Sequence, residues 1–151
     1  MEVINTAFGP LQVDSEKVIT FPTGLIGFPQ FHRFVVVDRD GGRGVLKYLQ
    51  CLDEPSLGFV TVDPRVVFAD YAPEMPRQDL ESIGISSLDE ALLLCVVVVP
   101  PDIKKMTCNL RAPVVVNPET RMAKQIISIS PEYETRYYVF PVLESLLQRT
   151  G

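Results

Sequence analysis

The side chains that could carry acid-base or nucleophilic chemistry are few in this chain. His32 is the only histidine, so any Ser-His-Asp triad or Cys-His pair would have to include it. It lies at the predicted start of a strand, where solvated histidines are common. The carboxylates Asp53 and Glu54, like Asp89 and Glu90, are sequence neighbours. Neighbouring side chains of a strand point to opposite faces, so neither pair is expected to converge on a substrate. We therefore predict no catalytic residue.

The residue patterns of metal and phosphate sites are also missing. Residues 38–42 (DRDGG) superficially resemble a calcium loop, but the periodic acidic ligands and the closing glutamate are absent. The glycine-rich stretch 41–44 is followed by a predicted strand, whereas phosphate loops lead into the N-terminus of a helix. There is neither a G-x-G-x-x-G motif nor a P-loop. The sequence predicts no metal and no organic cofactor.

The three cysteines, Cys51, Cys95 and Cys108, are odd in number and widely spaced, with no C-x-x-C motif. This pattern fits neither a disulfide framework nor a zinc site. Cys51 and Cys95 lie in apolar runs, where a free cysteine behaves as a small hydrophobic residue. The cysteines therefore predict a reducing compartment.

The charge of the chain restricts its partners. The formal net charge is −5, the isoelectric point is about 4.9, and no cluster of lysine and arginine is present. Nucleic-acid binding depends largely on cations that contact phosphates, so the composition argues against nucleic acid and against an anionic membrane. Two interpretations remain, a basic protein partner and simple solubility.

The sequence shows neither an export signal nor a membrane-spanning segment. The first residues contain neither a basic region nor an apolar signal core. The longest apolar run, residues 91–101, is too short to span a bilayer. Together these features predict a cytoplasmic protein.

Short strands dominate the predicted secondary structure. The continuous apolar run 91–99 predicts a strand that is covered on both faces. Residues 107–116 alternate in polarity and residues 122–129 return after the turn at Asn117 and Pro118, which predicts a hairpin. A second hairpin is predicted from residues 34–37 and 45–52, joined by a flexible turn at 39–44. The remaining predictions are a hairpin at 3–13 around Gly9, strands at 18–21, 58–62 and 132–140, and short helices at 77–83 and 142–149.

These elements predict the fold class. Thirteen prolines favour short strands and frequent loops over long helices. Strands do not alternate with full helices, which disfavours a parallel α/β sheet. We expect an all-β, mostly antiparallel fold: a small β-barrel or roll with short helices and a C-terminal helix. Residues 1–151 form one predicted domain, in which residues of about 141–150 are a C-terminal helical extension.

An ordered set of segments resembles a known family. The segments are FG at residues 8–9, ITFPTGLIGF at 19–28, YLQCLDEP at 48–55, GFVTVDP at 58–64, FADY at 68–71 and MTCNLRAPVVVN at 106–117, followed by Arg121 and Gln125. Each segment is weak alone, but the ordered set resembles the FliW family of flagellar assembly factors from residue 6 to about residue 140. The departures are Cys108 and Ala123, where the family tends to have Ala and Gly, and the leucine-striped tail.

The resemblance implies a function in protein binding. Members of this family bind flagellin in the cytoplasm, and they bind CsrA, an RNA-binding repressor of flagellin translation. Accumulating flagellin occupies the assembly factor and frees CsrA to repress; flagellin export releases the factor, which then antagonises CsrA. The expected mechanism is therefore an exchange of partners between competing equilibria.

The residues expected to bind partners lie in two segments. The first is acidic and contains Asp63, Asp70 and Glu74, with Tyr71 expected to be an exposed aromatic anchor. A basic surface of CsrA would be steered towards these carboxylates, although a solvated acidic loop is the plainer interpretation. The second segment supplies the motif residues Asn109 and Arg111.

Two other function classes remain open from the sequence. A split barrel that binds a flavin-like molecule would need a cationic phosphate cradle, for which Arg111, Arg121 and Lys124 are the only plausible donors. A purely structural interaction domain would need no such site.

Overall fold

The fold was analysed in a computed structural model, which describes residues 2–38 and 44–150. Residues 39–43 lie outside the described residues, and with them most of the calcium-like segment and of the predicted flexible turn. The side chains of Leu146 and Leu147, two members of the predicted leucine stripe, also lie outside this description.

Eleven strands and three α-helices form the described part of the chain. The strands are β1 (Glu2–Thr6), β2 (Gly9–Val13), β3 (Ile19–Thr20), β4 (Arg33–Val37), β5 (Leu46–Cys51), β6 (Gly58–Val62), β7 (Leu92–Val98), β8 (Thr107–Cys108), β9 (Val114–Val116), β10 (Ala123–Gln125) and β11 (Tyr137–Tyr138). The helices are α1 (Pro64–Val67), α2 (Arg77–Ser82) and α3 (Phe140–Thr150), and single 3-10 turns occur at Ser15–Lys17, Leu88–Glu90 and Ile103–Lys105. No helix among the described residues has both the length and the apolar character needed to cross a bilayer.

The strands pair almost entirely in antiparallel fashion. β1 and β2 form a separate hairpin. The main sheet has the order β10-β9-β7-β6-β5-β4-β3, and β8 extends from β7 and carries β11. The all-β, mostly antiparallel fold class predicted from the sequence is therefore confirmed.

The main sheet curls into a roll without closing into a barrel. Its two end strands, β3 and β10, are joined by no continuous ladder. One isolated parallel bridge connects Thr20 with Met122, and the Thr20 backbone N–H donates to the Arg121 carbonyl at 2.9 Å. This single connection is the seam of the roll. Of the two architectures expected from the sequence, the roll is the one that forms.

Two apolar clusters pack on the two faces of β7. Leu94 belongs to the cluster that the roll encloses, with Ile19, Phe21, Phe34, Val114 and other buried side chains. Cys95 and Val97 belong to the cluster on the other face, which α2 and α3 help to cover through Leu80 and Leu143. The centre of β7 is thus covered on both faces, as expected from its uninterrupted apolar run. Both ends of β7 are more exposed than its centre: Leu92 is 51% and Val98 is 60% exposed.

Several elements are shorter than the sequence patterns predict. The hairpin of residues 107–129 contains only three-residue strands, because Asn109 and Pro113 interrupt the alternating segment. The predicted strand 132–140 is reduced to β11, and Pro141, expected to break it, is the second residue of α3. Proline suits the first turn of a helix, where its missing N–H would be unpaired anyway.

Candidate partner-binding site

The acidic segment from Asp63 to Glu74 begins with a helix cap and is bonded to the body of the protein at its other end. The Asp63 carboxylate accepts a hydrogen bond from the Arg65 backbone N–H at 2.9 Å and caps α1. At the other end, the Glu74 N–H donates to the Ser130 hydroxyl at 2.8 Å, and the Glu74 carbonyl accepts from the Ile129 N–H at 2.7 Å. The end of the segment is therefore joined to a distant part of the chain.

Tyr71 is buried, and the expectation that it forms an exposed aromatic anchor is wrong. Only 7% of the residue is exposed. Its hydroxyl donates to the Leu110 carbonyl at 2.5 Å, and its ring stacks edge-on against Tyr133 with 4.9 Å between centroids. Burial raises the pKa of Tyr71 well above its ordinary value, and the neighbouring Cys95 adds to the shift. Tyr71 positions the segment and is not available to a partner at its surface.

Tyr133 also attaches the segment to the body of the protein. The carboxylates of Asp70 and Glu74, on either side of Tyr71, remain exposed. The Ala72 N–H donates to the Tyr133 hydroxyl at 2.9 Å, and that hydroxyl lies 3.5 Å from the Asp70 carbonyl. The side chains of Asp70 and Glu74 are exposed. Among the described residues, neither carboxylate has a hydrogen-bond or ion-pair partner. Two negative charges without a described partner thus stand on a backbone that is bonded to distant residues.

The second predicted segment forms a tight turn next to Tyr71. The Asn109 side-chain oxygen accepts from the N–H groups of Arg111 at 3.1 Å and Ala112 at 3.0 Å. Leu110, the residue bound by Tyr71, is fully buried, whereas Arg111 is exposed. The fold therefore brings Tyr71 to the turn that carries Asn109 and Arg111.

Asp63 does not belong to this surface. It lines a separate cavity with Lys47 and Arg65. Asp63 is thus a helix cap beside two cations, while Asp70 and Glu74 form the exposed acidic part of the segment. Of the six residues predicted to bind partners, Asp63 therefore lies at the separate cavity. The other five lie in or next to the surface around Tyr71.

Sequence reasoning missed an apolar surface near Asn109. Asn109 lines a cavity of about 270 Å³ together with Ile26, Val98 and Arg136. Ile26 is 53% and Val98 60% exposed, so two exposed apolar side chains border the same cavity. The apolar run of β7 predicted a strand covered on both faces. The exposure of Val98 was missed because periodicity does not show where a neighbouring strand ends.

His32 and the cysteines have structural roles in the described geometry. His32 Nδ1 lies 2.8 Å from the Phe21 carbonyl, and its backbone N–H donates to the Asp53 carboxylate at 2.7 Å. The three cysteines are buried and free. Burial raises the pKa of each thiol, which disfavours the reactive thiolate. Within the described residues, no group of three His, Cys, Asp or Glu side chains is placed to hold a metal ion.

The three cations required by the flavin-like alternative are separated in the structure. Arg121 lines the cavity that contains Asp63. Lys124 lines a different cavity and pairs with Asp79 at 2.6 Å. Arg111 lies on the exposed turn and lines neither cavity. These side chains therefore form no common phosphate cradle, and the geometry gives no support to this alternative.

Comparison with known proteins identifies similar chains. Residues 2–139 match the family model described as FliW protein, and the match ends one residue before α3 begins. The flagellar assembly factor FliW of Natranaerobius thermophilus is 39% identical over 141 residues, which cover 93% of each chain. That of Symbiobacterium thermophilum is 42% identical over 125 residues, covering 83% of this chain and 91% of the relative. A solved structure, described as the crystal structure of the flagellar assembly factor FliW, matches with a TM-score of 0.84 and 28% identity, covering 93% of this chain and 98% of that one.

Proposed function

Since the chain belongs to the FliW family of flagellar assembly factors, we propose that it acts by exchanging two protein partners, flagellin and CsrA. In the cytoplasm, bound flagellin would leave CsrA free to repress flagellin translation. Release of flagellin for export would allow the chain to bind CsrA and relieve that repression. Its role is chaperone-like and regulatory, and it requires neither a catalytic residue nor a cofactor.

One observation supports this proposal more than any other: Asp70 and Glu74 are exposed on a segment that Tyr71 and Tyr133 attach to the body of the protein. A basic partner such as CsrA would be attracted to these charges over a distance and would pay little to order the segment. We therefore assign part of the CsrA-facing surface to Asp70 and Glu74. Arg111 and Asn109, on the adjoining turn, are proposed to border it.

Partner exchange has a thermodynamic requirement that can be measured. If flagellin lowers the affinity for CsrA by some factor, CsrA must lower the affinity for flagellin by the same factor. The exchange does not require both partners to touch the same residues, because coupling can also pass through a shared change in conformation.

Titration calorimetry tests the proposal directly. The chain is titrated with purified CsrA, with purified flagellin, and with each partner after saturation by the other. We expect binding in both single titrations and a strong loss of affinity in both sequential titrations. Absence of CsrA binding, or unchanged affinity for CsrA after saturation with flagellin, would contradict partner exchange. Unequal coupling in the two orders of addition would reveal a further equilibrium.

A further inference from the structure

A cavity of about 330 Å³ opens at one end of the roll. Buried aliphatic side chains of β3, β7 and β9 line it, and Leu92, which is half exposed, marks its edge. The apolar cavity near Asn109 lies towards the other end of β7, at Val96 and Val98. Mouths of rolled sheets are frequent sites for small ligands, because they combine an apolar interior with polar groups at the rim.

Three cations line this cavity, which we name the cationic mouth: Lys47, Arg65 and Arg121. Lys47 pairs with Asp38 at 2.6 Å. Arg65 donates to the carbonyls of Leu88 at 2.9 Å and Ala91 at 3.3 Å, which fix its guanidinium without neutralising it. Among the residues that the structure describes, two carboxylates, Asp38 and the lining Asp63, accompany these three cations, in a chain whose net charge is −5.

Arg121 differs from the other two cations of this cavity. Its guanidinium makes no hydrogen bond or ion pair with any residue that the structure describes. Its backbone, in contrast, is fixed on both sides: the N–H donates to the Asn117 carbonyl at 2.9 Å, and the carbonyl accepts from Thr20 at the seam. Its φ angle of 63° is in the left-handed region, which is strained for a non-glycine residue. Strain of this kind is frequent at binding sites.

We propose that the cationic mouth binds a small monocarboxylic acid with a short aliphatic chain, and that Arg121 is its principal ligand. The guanidinium presents parallel N–H donors that match the two oxygens of a carboxylate. The aliphatic lining, formed by Ile19, Leu94 and Val116, would take up the hydrocarbon part of the ligand. A single carboxylate would also pair with the Arg121 guanidinium, which has no ion-pair partner among the described residues. This site does not include Asp70 and Glu74, the residues assigned to the CsrA-facing surface.

Nuclear magnetic resonance titration of the isotope-labelled chain tests this site with hexanoate, octanoate and the neutral analogue hexanamide. We expect both acids to shift the amide signals of Leu92, Val116 and Arg121, and octanoate to bind more tightly. Hexanamide should bind at least about tenfold more weakly, because a charge-assisted hydrogen bond is lost. Arg121→Gln should weaken hexanoate binding by a similar factor. Arg77→Gln, at an exposed position of α2, should leave it unchanged.

A second pair of variants keeps the proposal testable if Arg121→Gln disturbs the seam. Leu92→Glu places a negative charge at the edge of the mouth and should abolish hexanoate binding, whereas Leu92→Gln should only weaken it. Equal binding of hexanoate and hexanamide, or acid-induced shifts confined to other surfaces, would overturn the proposal. So would binding of an apolar peptide through its free C-terminus without binding of octanoate, because the mouth would then dock a protein chain.

Discussion

The Tyr71 hydroxyl and the Leu110 carbonyl lie 2.5 Å apart and join two segments that are distant in sequence. The bond ties the acidic segment to the turn of Asn109 and Arg111, so it connects both parts of the candidate partner surface. Tyr71 therefore supports this surface from inside the protein and is not itself a contact residue.

Removal of the Tyr71 hydroxyl should destabilise the fold. Tyr71→Phe takes away the donor to a buried carbonyl, which costs about 1–3 kcal/mol when no substitute is found. Urea denaturation followed by circular dichroism measures the change in the free energy of unfolding. Tyr138→Phe is the matched control, because Tyr138 is 61% exposed and should lose almost nothing. Equal losses in the two variants would show that the buried bond is not the cause.

Charge reversal at the exposed carboxylates should slow the association with CsrA. In the double variant Asp70→Lys and Glu74→Lys, steering is lost, and we expect about a tenfold slower association at low salt and a flatter salt dependence. Stopped-flow measurements at several ionic strengths record both effects. Stability should change little, since neither carboxylate has a partner in the described structure.

A second charge reversal of equal size provides the control. Glu16 and Glu119 are exposed carboxylates of other loops, and their joint replacement by lysine changes the net charge by the same amount. If this control slows CsrA as much as the first double variant does, only the overall charge matters. The assignment of Asp70 and Glu74 to the interface would then be wrong.

Alkaline pH should destabilise the protein through its buried thiols. Burial raises the pKa of Cys108 from 9.0 to about 12. Above pH 9 the unfolded chain therefore releases this proton while the folded chain keeps it. The stabilisation is complete below about pH 9 and is lost as the pH rises towards 12, by up to about 1.4 kcal/mol per pH unit for each such group. Cys95 and Tyr71, whose pKa values burial also raises, add losses of the same sign.

Replacement of one thiol isolates its share of this effect. Cys108→Ala should flatten the dependence of unfolding free energy on pH by up to about 1.4 kcal/mol per unit between pH 10 and 11. Urea denaturation in the presence of a reductant at each pH measures the slopes. An unchanged slope in Cys108→Ala would show that Cys108 does not titrate in this range on unfolding.

Gly58 should tolerate no side chain. A Cβ atom added at Gly58 would overlap the ring and hydroxyl of Tyr48 on the neighbouring strand β5. Phe8 packs edge-on against the Tyr48 ring with 5.1 Å between centroids and leaves that ring less room to move aside. Gly58→Ala should therefore cost about 1–3 kcal/mol, as overpacking does. In a Tyr48→Leu background the same change should cost much less, and a double-mutant cycle measures the difference. An additive cycle would exclude this steric explanation.

The fold could be predicted from the sequence where a pattern is local. The apolar run of β7, the hairpin of β4 and β5 and the short helix α2 follow from periodicity and turn residues, and all are present. The alternating run after Thr107 predicted too long a strand, because the hydrogen bonds of the Asn109 side chain compete with the ladder.

The partner surface was less predictable, because its geometry depends on contacts between distant segments. Nothing in the residues around Tyr71 indicates that its hydroxyl meets the carbonyl of Leu110, and its acidic neighbours favoured exposure. The cationic mouth could not be predicted from the sequence either, since Lys47, Arg65 and Arg121 come from three separate parts of the chain. Charge and motif identified Asp70, Glu74 and Arg121 as residues of interest but not the cavities or surfaces that they share.

The seam between Thr20 and Arg121 also determines the order in which the molecule can be completed on the ribosome. β3 leaves the exit tunnel early, whereas its parallel partner follows only after most of the chain has been translated. Until then the Thr20 backbone N–H at the outer edge of β3 lacks its partner, the Arg121 carbonyl. A message truncated before the codon for Arg121 would therefore yield a fragment in which the two ends of the main sheet cannot be connected.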